Sequence, residues 1–219
     1  MIIKKPPYIF HIFAPSKMFL MKSVCIFCGS STGIRESYSD NARLLGKILT
    51  ENNITLVYGG GNVGLMGIIA DAVIEAGGKT IGVMPKSIAE LEIAHDNLTE
   101  LYLVDTMAER KEMMAKLSDA FIAMPGGFGT LDELSEILTY NQLRICDKPL
   151  GLLNVDGYFD SLLNFFDHAV NERFVREEHR KNVIVSDTPA KLINMLGEYE
   201  PVQIGKWIED IKVEAGNKN

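Results

Sequence analysis

This chain of 219 residues is poor in several features, and each shortage removes a class of function. It has three cysteines, too few for a disulfide framework. Cys25 and Cys28 form a CxxC, but "SVCIFCGSS" reads as an apolar strand entering a loop, whereas a redox CxxC opens a helix. With Cys146 and four scattered histidines, the ligand spacing of a zinc site is missing. Basic residues are outnumbered, 22 Lys and Arg against 29 Asp and Glu, for a formal net charge of −7. That balance argues against long nucleic acid as a partner, because neutralising phosphates needs clustered Lys and Arg. A local cluster can still hold a small anion. The unpaired cysteine usage makes a reducing cytoplasm the natural home, and apolar runs stay well short of the roughly 18 residues of a membrane span, so no membrane partner is expected. The opening "MIIKKPPYIFHIFAPSKMFL" has a lysine pair before a short aromatic run, but Pro6, Pro7 and Lys17 argue against a signal peptide. Residues 1–21 are expected to form a peripheral arm, 22–197 one domain, and 198–219 a tail with a short helix around Trp207.

Glycine is plentiful, at 19 residues, and hydrophobic residues make up 47% of the chain. From Ser23 onward, short apolar runs alternate with longer amphipathic segments. The strand-like runs cover 23–28, 54–59, 79–84, 120–124, 149–154 and, more weakly, 182–186. Between them lie helix-like segments at 37–52, 65–76, 106–117, 131–143, 158–172 and 189–196. Nearly continuous apolar strands are those covered on both faces. The rhythm therefore predicts an α/β fold, a doubly wound parallel sheet flanked by helices, Rossmann-like and in a single domain. Ligands of such sheets sit beyond the carboxyl ends of the strands, which directs attention to the loops after Cys28, Tyr58, Met84 and Met124.

Three of those loops carry signals. In "GGGNVGLMG", Gly59, Gly61 and Gly64 satisfy GxGxxG between a strand and a helix, yet the next strand ends "IGVMPKS" without the acidic residue that grips a ribose. Gly60 and Gly61 serve either a phosphate-contacting turn or strand–helix packing alone. In "CGSSTG", Gly29 and Ser30 expose backbone N–H groups able to cradle an anion. The densest signal is "PGGFGTLDELSE": Gly126, Gly127 and Gly129 allow close backbone approach around Phe128. Thr130 is placed to be an N-cap, followed at Leu131, Asp132 and Glu133 by capping-box spacing. Glu133 then either closes the helix start or, in the first turn, stands beside an anion bound there. Glu136, one turn on, is expected to face solvent or a partner chain. Upstream, "MAERKEMMAKLSDA" puts Met107, Met114 and Leu117 at core-like spacing and leaves Arg110 and Lys111 adjacent, so that one can face the site.

"PGGFGTLDE" together with "MAERK" resembles the PGGxGTxxE and RK signatures of the LOG ("lonely guy") family of phosphoribohydrolases, and the similarity runs from about Ser23 to Leu196. That resemblance implies hydrolysis of the N-glycosidic bond of nucleoside 5′-monophosphates, AMP and cytokinin riboside monophosphates among them, without a cofactor or metal. It implies Arg110 and Glu133 as the catalytic pair, and substrate contacts from Glu92, Lys111 and the loop from Gly126 to Asp132. It also implies a homodimer. The chemistry is consistent: cleavage passes through an oxocarbenium-like ribosyl cation, which an adjacent carboxylate stabilises while it orients or deprotonates water. Arg110 either holds the phosphate or stabilises the departing base. The alternative is a non-catalytic nucleotide or molybdenum-cofactor carrier on the same scaffold. A lysine decarboxylase would need a Schiff-base lysine, and no lysine has that context.

Overall fold

A computed structural model describes residues 20–89, 94–201 and 216. Glu92, residues 1–19 of the peripheral arm and the tail helix around Trp207 lie outside the described residues; of the arm's last two residues Leu20 is exposed and Met21 is buried in the core. Along the chain run β1 (Ser23–Phe27), α1 (Glu36–Glu51), β2 (Thr55–Tyr58), α2 (Gly64–Glu75), β3 (Thr80–Pro85), α3 (Lys86–Ala89), β4 (Glu100–Val104), α4 (Met107–Leu117), β5 (Ala120–Ala123), α5 (Phe128–Gln142), β6 (Leu150–Leu153), α6 (Asp160–Asn171), α7 (Glu177–Lys181), β7 (Val183–Ser186) and α8 (Pro189–Gly197). A single 3₁₀ turn, Val155–Gly157, follows β6.

The strands form one seven-stranded sheet in the order β4-β3-β2-β1-β5-β6-β7, and every pairing is parallel. The doubly wound architecture follows from two-sided burial. On β1, Val24 and Ile26 pack into a core with Tyr38, Ala42, Leu45 and Leu49 of α1, Leu65, Ile69 and Val73 of α2 and Leu192 and Leu196 of α8. Cys25 and Phe27 point the other way, into a core with Met114 of α4 and Leu134 and Ile137 of α5. The i, i+4, i+7, i+11 spacing of the α1 residues places one stripe against the sheet. Both cysteines of the CxxC are buried free thiols in this setting.

Chain order runs outward from β1 in both directions, so the winding reverses between β1 and β5. Their ladder, Val24↔Ala120 through Phe27↔Ala123, continues past the strand ends: Met124 N–H donates to the Phe27 carbonyl at 2.8 Å and Gly29 N–H to the Pro125 carbonyl at 3.0 Å. The "CGSS" and "PGGFG" loops are thereby fastened together at the switch point, where open α/β sheets hold ligands.

Two local expectations need correction. The capping box belongs to α4, not α5: Thr106 Oγ1 accepts from Glu109 N–H at 3.1 Å, and Glu109 Oε2 accepts from Asp105 N–H at 2.9 Å. Helix α5 begins earlier than its apolar period suggests, at Phe128 with Gly127 as N-cap and no side-chain cap. Thr130 is therefore inside the first turn and buried, and Glu133 lies in the second turn, away from the cap. Met107 is 42% exposed rather than in the core, because α4 has only begun to approach the sheet there.

Candidate active site

The carboxyl ends of β1, β2, β3 and β5 surround a cavity of about 270 Å³ lined by Cys28, Gly29, Ser30, Gly59, Met66, Met84, Ile88, Arg110, Gly127, Phe128, Gly129, Thr130 and Glu133. The floor on the α5 side is a helix N-terminus. Leu131 N–H makes the first helical bond, to the Gly127 carbonyl at 3.1 Å, leaving the N–H groups before it without intrahelical acceptors and the positive end of the helix dipole uncapped. A Cβ added at Gly127 or Gly129 would meet nothing within 4 Å. Packing does not require glycine at either position, so what these residues keep open is the approach to the helix start. Gly126 is different: a Cβ there would land on Thr130 Oγ1, and the glycine is needed to close the loop over the threonine.

Arg110 reaches the cavity from α4. Its Nε–H donates to the Val83 carbonyl at the end of β3 at 3.1 Å, and Nη1 stands 3.8 Å from Met107 Sδ. Across the cavity Glu133 Oε1 lies 4.0 Å from Nη1, with the two side chains only 14% and 12% exposed. At that separation the pair attracts without forming a closed bidentate bridge, so both groups retain bonding capacity toward a third molecule. Burial pushes the Glu133 carboxyl up to about 7; Arg110 opposes this, Asp132 adds to it, Lys111 opposes it and Glu136 adds to it. A carboxyl balanced between its charged and neutral forms near neutrality, in a cleft, is a signature of functional sites. Cys28, which lines the same cavity, is the opposite case: burial and the nearby Glu133 push its thiol far up, so it stays neutral and unreactive.

The helix settles the choice between adjacent cations. While Arg110 enters the cavity, Lys111 turns away and bridges α4 to α5, with Nζ 3.1 Å from Asp132 Oδ2 and 3.3 Å from Glu136 Oε1. Burial lowers the Lys111 pKa, but the hydrogen bonds and charges of the two carboxylates outweigh it and hold the group above its ordinary value. Glu136 is therefore engaged within the chain, and Lys111, Leu131 and Asp132 are beside the cavity rather than in its lining. Gly60 and Gly61 are also set back. Gly60 has φ 82° and offers its carbonyl to His95 N–H at 3.1 Å, and Gly61 bridges to Ala94. Asn97 N–H donates to His95 Nδ1 at 3.3 Å, so Nε2 carries the proton that goes to Asp71 Oδ1 at 2.9 Å and pins this turn to α2.

Two neighbouring glycines, not singled out as site residues from sequence, matter more. A Cβ on Gly59 would coincide with Arg110 Nη2, so the guanidinium occupies the space a side chain would take. Gly64, at φ 56°, packs directly against the Ser30–Ser31 backbone, where any side chain would clash and the left-handed conformation would be strained. The signal was present in the GxGxxG spacing, but not which neighbour each glycine accommodates. Among the described residues no group of three or more His, Cys, Asp or Glu is placed to hold a metal ion, and no helix is long and apolar enough to cross a membrane.

Comparison with known proteins gives this geometry its relatives. Residues 66–196 match the family model described as "Possible lysine decarboxylase". A "Probable cytokinin riboside 5'-monophosphate phosphoribohydrolase" of Oryza sativa subsp. japonica is 51% identical over 193 residues, covering 88% of this chain and 79% of the relative. A cytokinin riboside 5′-monophosphate phosphoribohydrolase of Arabidopsis thaliana is 48% identical over 197 residues, covering 89% and 92%. Among solved structures, the molybdenum cofactor binding protein from the phototrophic bacterium Rippkaea orientalis aligns with a TM-score of 0.62 at 25% identity, over 80% of this chain and 95% of that one. Sheet order, glycine loops and the Arg110–Glu133 pair come together with half-identical relatives along most of the chain, and the chain belongs to the LOG family of cytokinin riboside 5′-monophosphate phosphoribohydrolases.

Proposed function

We propose that this protein hydrolyses the N-glycosidic bond of nucleoside 5′-monophosphates, AMP and cytokinin riboside monophosphates, to the free base and ribose 5-phosphate. The observation that carries the reading is the buried, proton-balanced Glu133 set 4.0 Å from Arg110 beside the uncapped start of α5. The phosphate docks on backbone N–H groups of Ser30, Gly127, Gly129 and Thr130, Gly29 N–H being held by the Pro125 carbonyl, and the base lies against Met66, Met84 and Ile88. This places the anomeric carbon near Glu133. As the C1′–N bond lengthens, positive charge grows on the ribose, and the Glu133 carboxylate stabilises it and takes a proton from the attacking water. The water oxygen bonds to C1′ while the base leaves with the bond's electron pair and is protonated from solvent, and Glu133 returns the proton it took up to solvent. Arg110, aimed by the Val83 carbonyl, supplies the positive charge for the phosphate or the departing base.

Lys111 and Asp132 act by locking α4 to α5, and so by keeping Arg110 and Glu133 at this separation; direct substrate contact from Glu92 belongs to the same reading. Schiff-base chemistry is disfavoured at Lys111, whose two carboxylate partners hold it protonated. A homodimer in the cytoplasm belongs to the same reading, and the apolar side chain of Phe128 on the cavity lining, 93% exposed, is a candidate contact for a second copy. Phe128→Asp should shift sedimentation toward the monomer.

Incubation with AMP should release free adenine, and Glu133→Gln should abolish that release while the variant still binds ribose 5-phosphate. A folded protein that binds nucleotide and liberates no base from any nucleoside monophosphate would instead be a carrier, the reading that its likeness to the molybdenum cofactor binding protein favours.

A further inference from the structure

We propose that Tyr158 is a positioning residue of the anion seat: its hydroxyl holds the Gly126 carbonyl so that the glycine loop keeps its N–H groups turned toward the substrate phosphate. The inference rests on the proposed docking of phosphate on that loop. Tyr158 lies outside the family-signature loops, in the turn after β6, and it lines a second cavity of about 270 Å³ that shares Gly29, Ser30 and Gly127 with the first.

The contact is short and its geometry is constrained from both ends. Tyr158 Oη donates to the Gly126 carbonyl at 2.5 Å. In a trans peptide the C=O and the following N–H point in opposite directions, and the described chain has no cis bonds. Fixing the Gly126 carbonyl toward Tyr158 therefore turns the Gly127 N–H away from it. On the loop side, Gly126 is wedged against Thr130 and the Gly29 backbone, and the preceding Pro125 carbonyl already accepts from Gly29 N–H at 3.0 Å. The peptide has little freedom except to rotate, and the tyrosine hydroxyl removes that rotation.

On the tyrosine side, the ring is held edge-on by Tyr38, with centroids 5.7 Å apart at 80°, and by Phe159, 5.1 Å at 88°. Phe159 is buried, and its N–H donates to Asn154 Oδ1 at 2.7 Å. The turn itself places Asp156 and Gly157 at φ 51° and 72°, a costly conformation for the aspartate. It is secured by Ser37 Oγ donating to Asp156 Oδ2 at 2.6 Å and by Arg35 at 3.5 Å, both at the start of α1. Three elements thus converge to aim one hydroxyl at one loop carbonyl. Ring packing alone would serve equally well with phenylalanine.

Tyr158→Phe keeps the ring and removes only the hydroxyl, so it tests the aim directly. Calorimetric affinity for ribose 5-phosphate should fall about five- to tenfold, the loss of one well-placed hydrogen bond. KM for AMP should rise by a similar factor with kcat within about twofold. Inhibition by free adenine should be unchanged, and the thermal midpoint should fall by no more than about 2–4 °C, since the same bond is lost from the free protein. Unaltered ribose 5-phosphate affinity overturns the proposal, as does an equal loss for ribose 5-phosphate and adenine, which marks general loosening. If the unmodified protein releases no base from AMP, yet Tyr158→Phe still weakens ribose 5-phosphate, the hydrolase reading fails and the positioning role stands; the converse pattern removes Tyr158 alone.

Discussion

Replacing Glu133 with Gln tests two linked consequences of burying one carboxyl beside Arg110. In the folded protein its pKa is raised from 4.5 to about 7, mainly by burial. The folded state therefore binds this proton more tightly than the unfolded chain does. The associated stability is complete below pH 4.5 and is lost as pH rises through about 7. Each pKa unit corresponds to about 1.4 kcal/mol, so the carboxyl should remove about 2 to 3 kcal/mol between about pH 5 and pH 8.5. Glutamine keeps the neutral shape and cannot ionise. In urea unfolding at the two pH values, the variant should lose about 2 to 3 kcal/mol less than the unmodified protein, the other carboxylates cancelling in the comparison. Catalysis should run the other way, because the proposed chemistry needs the ionised form. The kcat/KM for AMP should climb about tenfold per pH unit on the acid side and level off above about 7, and glutamine should cost about 10²–10⁴-fold in rate. Identical pH dependence of stability in the two proteins would refute the burial argument. A rate profile flat from about pH 5 to 9, or near-normal turnover by the variant, would refute the role of the carboxylate.

Other outcomes are expected from the same geometry. Gly129→Ala fills space that nothing occupies within a helix, so it should raise stability by about 0.5–1 kcal/mol while weakening ribose 5-phosphate binding in calorimetry. Gly59→Ala should displace the Arg110 guanidinium and depress AMP turnover to the level of Arg110→Ala, with the far-UV spectrum intact. Asp132→Asn removes the more exposed partner of Lys111 and should cost less than about 1 kcal/mol in a chemical melt, with Glu136→Gln, the more sheltered partner, costing more.

The fold was legible wherever burial leaves a local imprint. Strands β1, β5 and β6 are covered on both faces, and their continuous apolar runs announce them. β4 escapes notice because it is an edge strand in which only Val104 of "ELYLV" is buried, so its composition reports solvent rather than sheet. The capping boxes illustrate a finer limit. Thr106/Glu109 and Thr130/Glu133 share one spacing, but glycines carry the chain into α5 before Thr130, and only the first pair caps a helix. Arg110 and Lys111 were both visible as candidates, and adjacent helical residues point about 100° apart. Which of them enters the cavity depends on how α4 is rotated against β3, and that follows from Met114 seeking the core.

Local chemistry and periodicity, written directly in the residues, were enough for the parallel winding, the glycine loops, and Arg110 and Glu133 as separate candidates; their pairing came from the resemblance of two short motifs to a family. The strand order, the fastening of Gly29 to Pro125, the 4.0 Å approach of Arg110 to Glu133, the doubling of Gly59 as a guanidinium berth and the aim of Tyr158 at Gly126 arise between segments far apart in the chain. So does the raised pKa of Glu133, because desolvation is a sum over neighbours from several elements, and no stretch of sequence contains that sum.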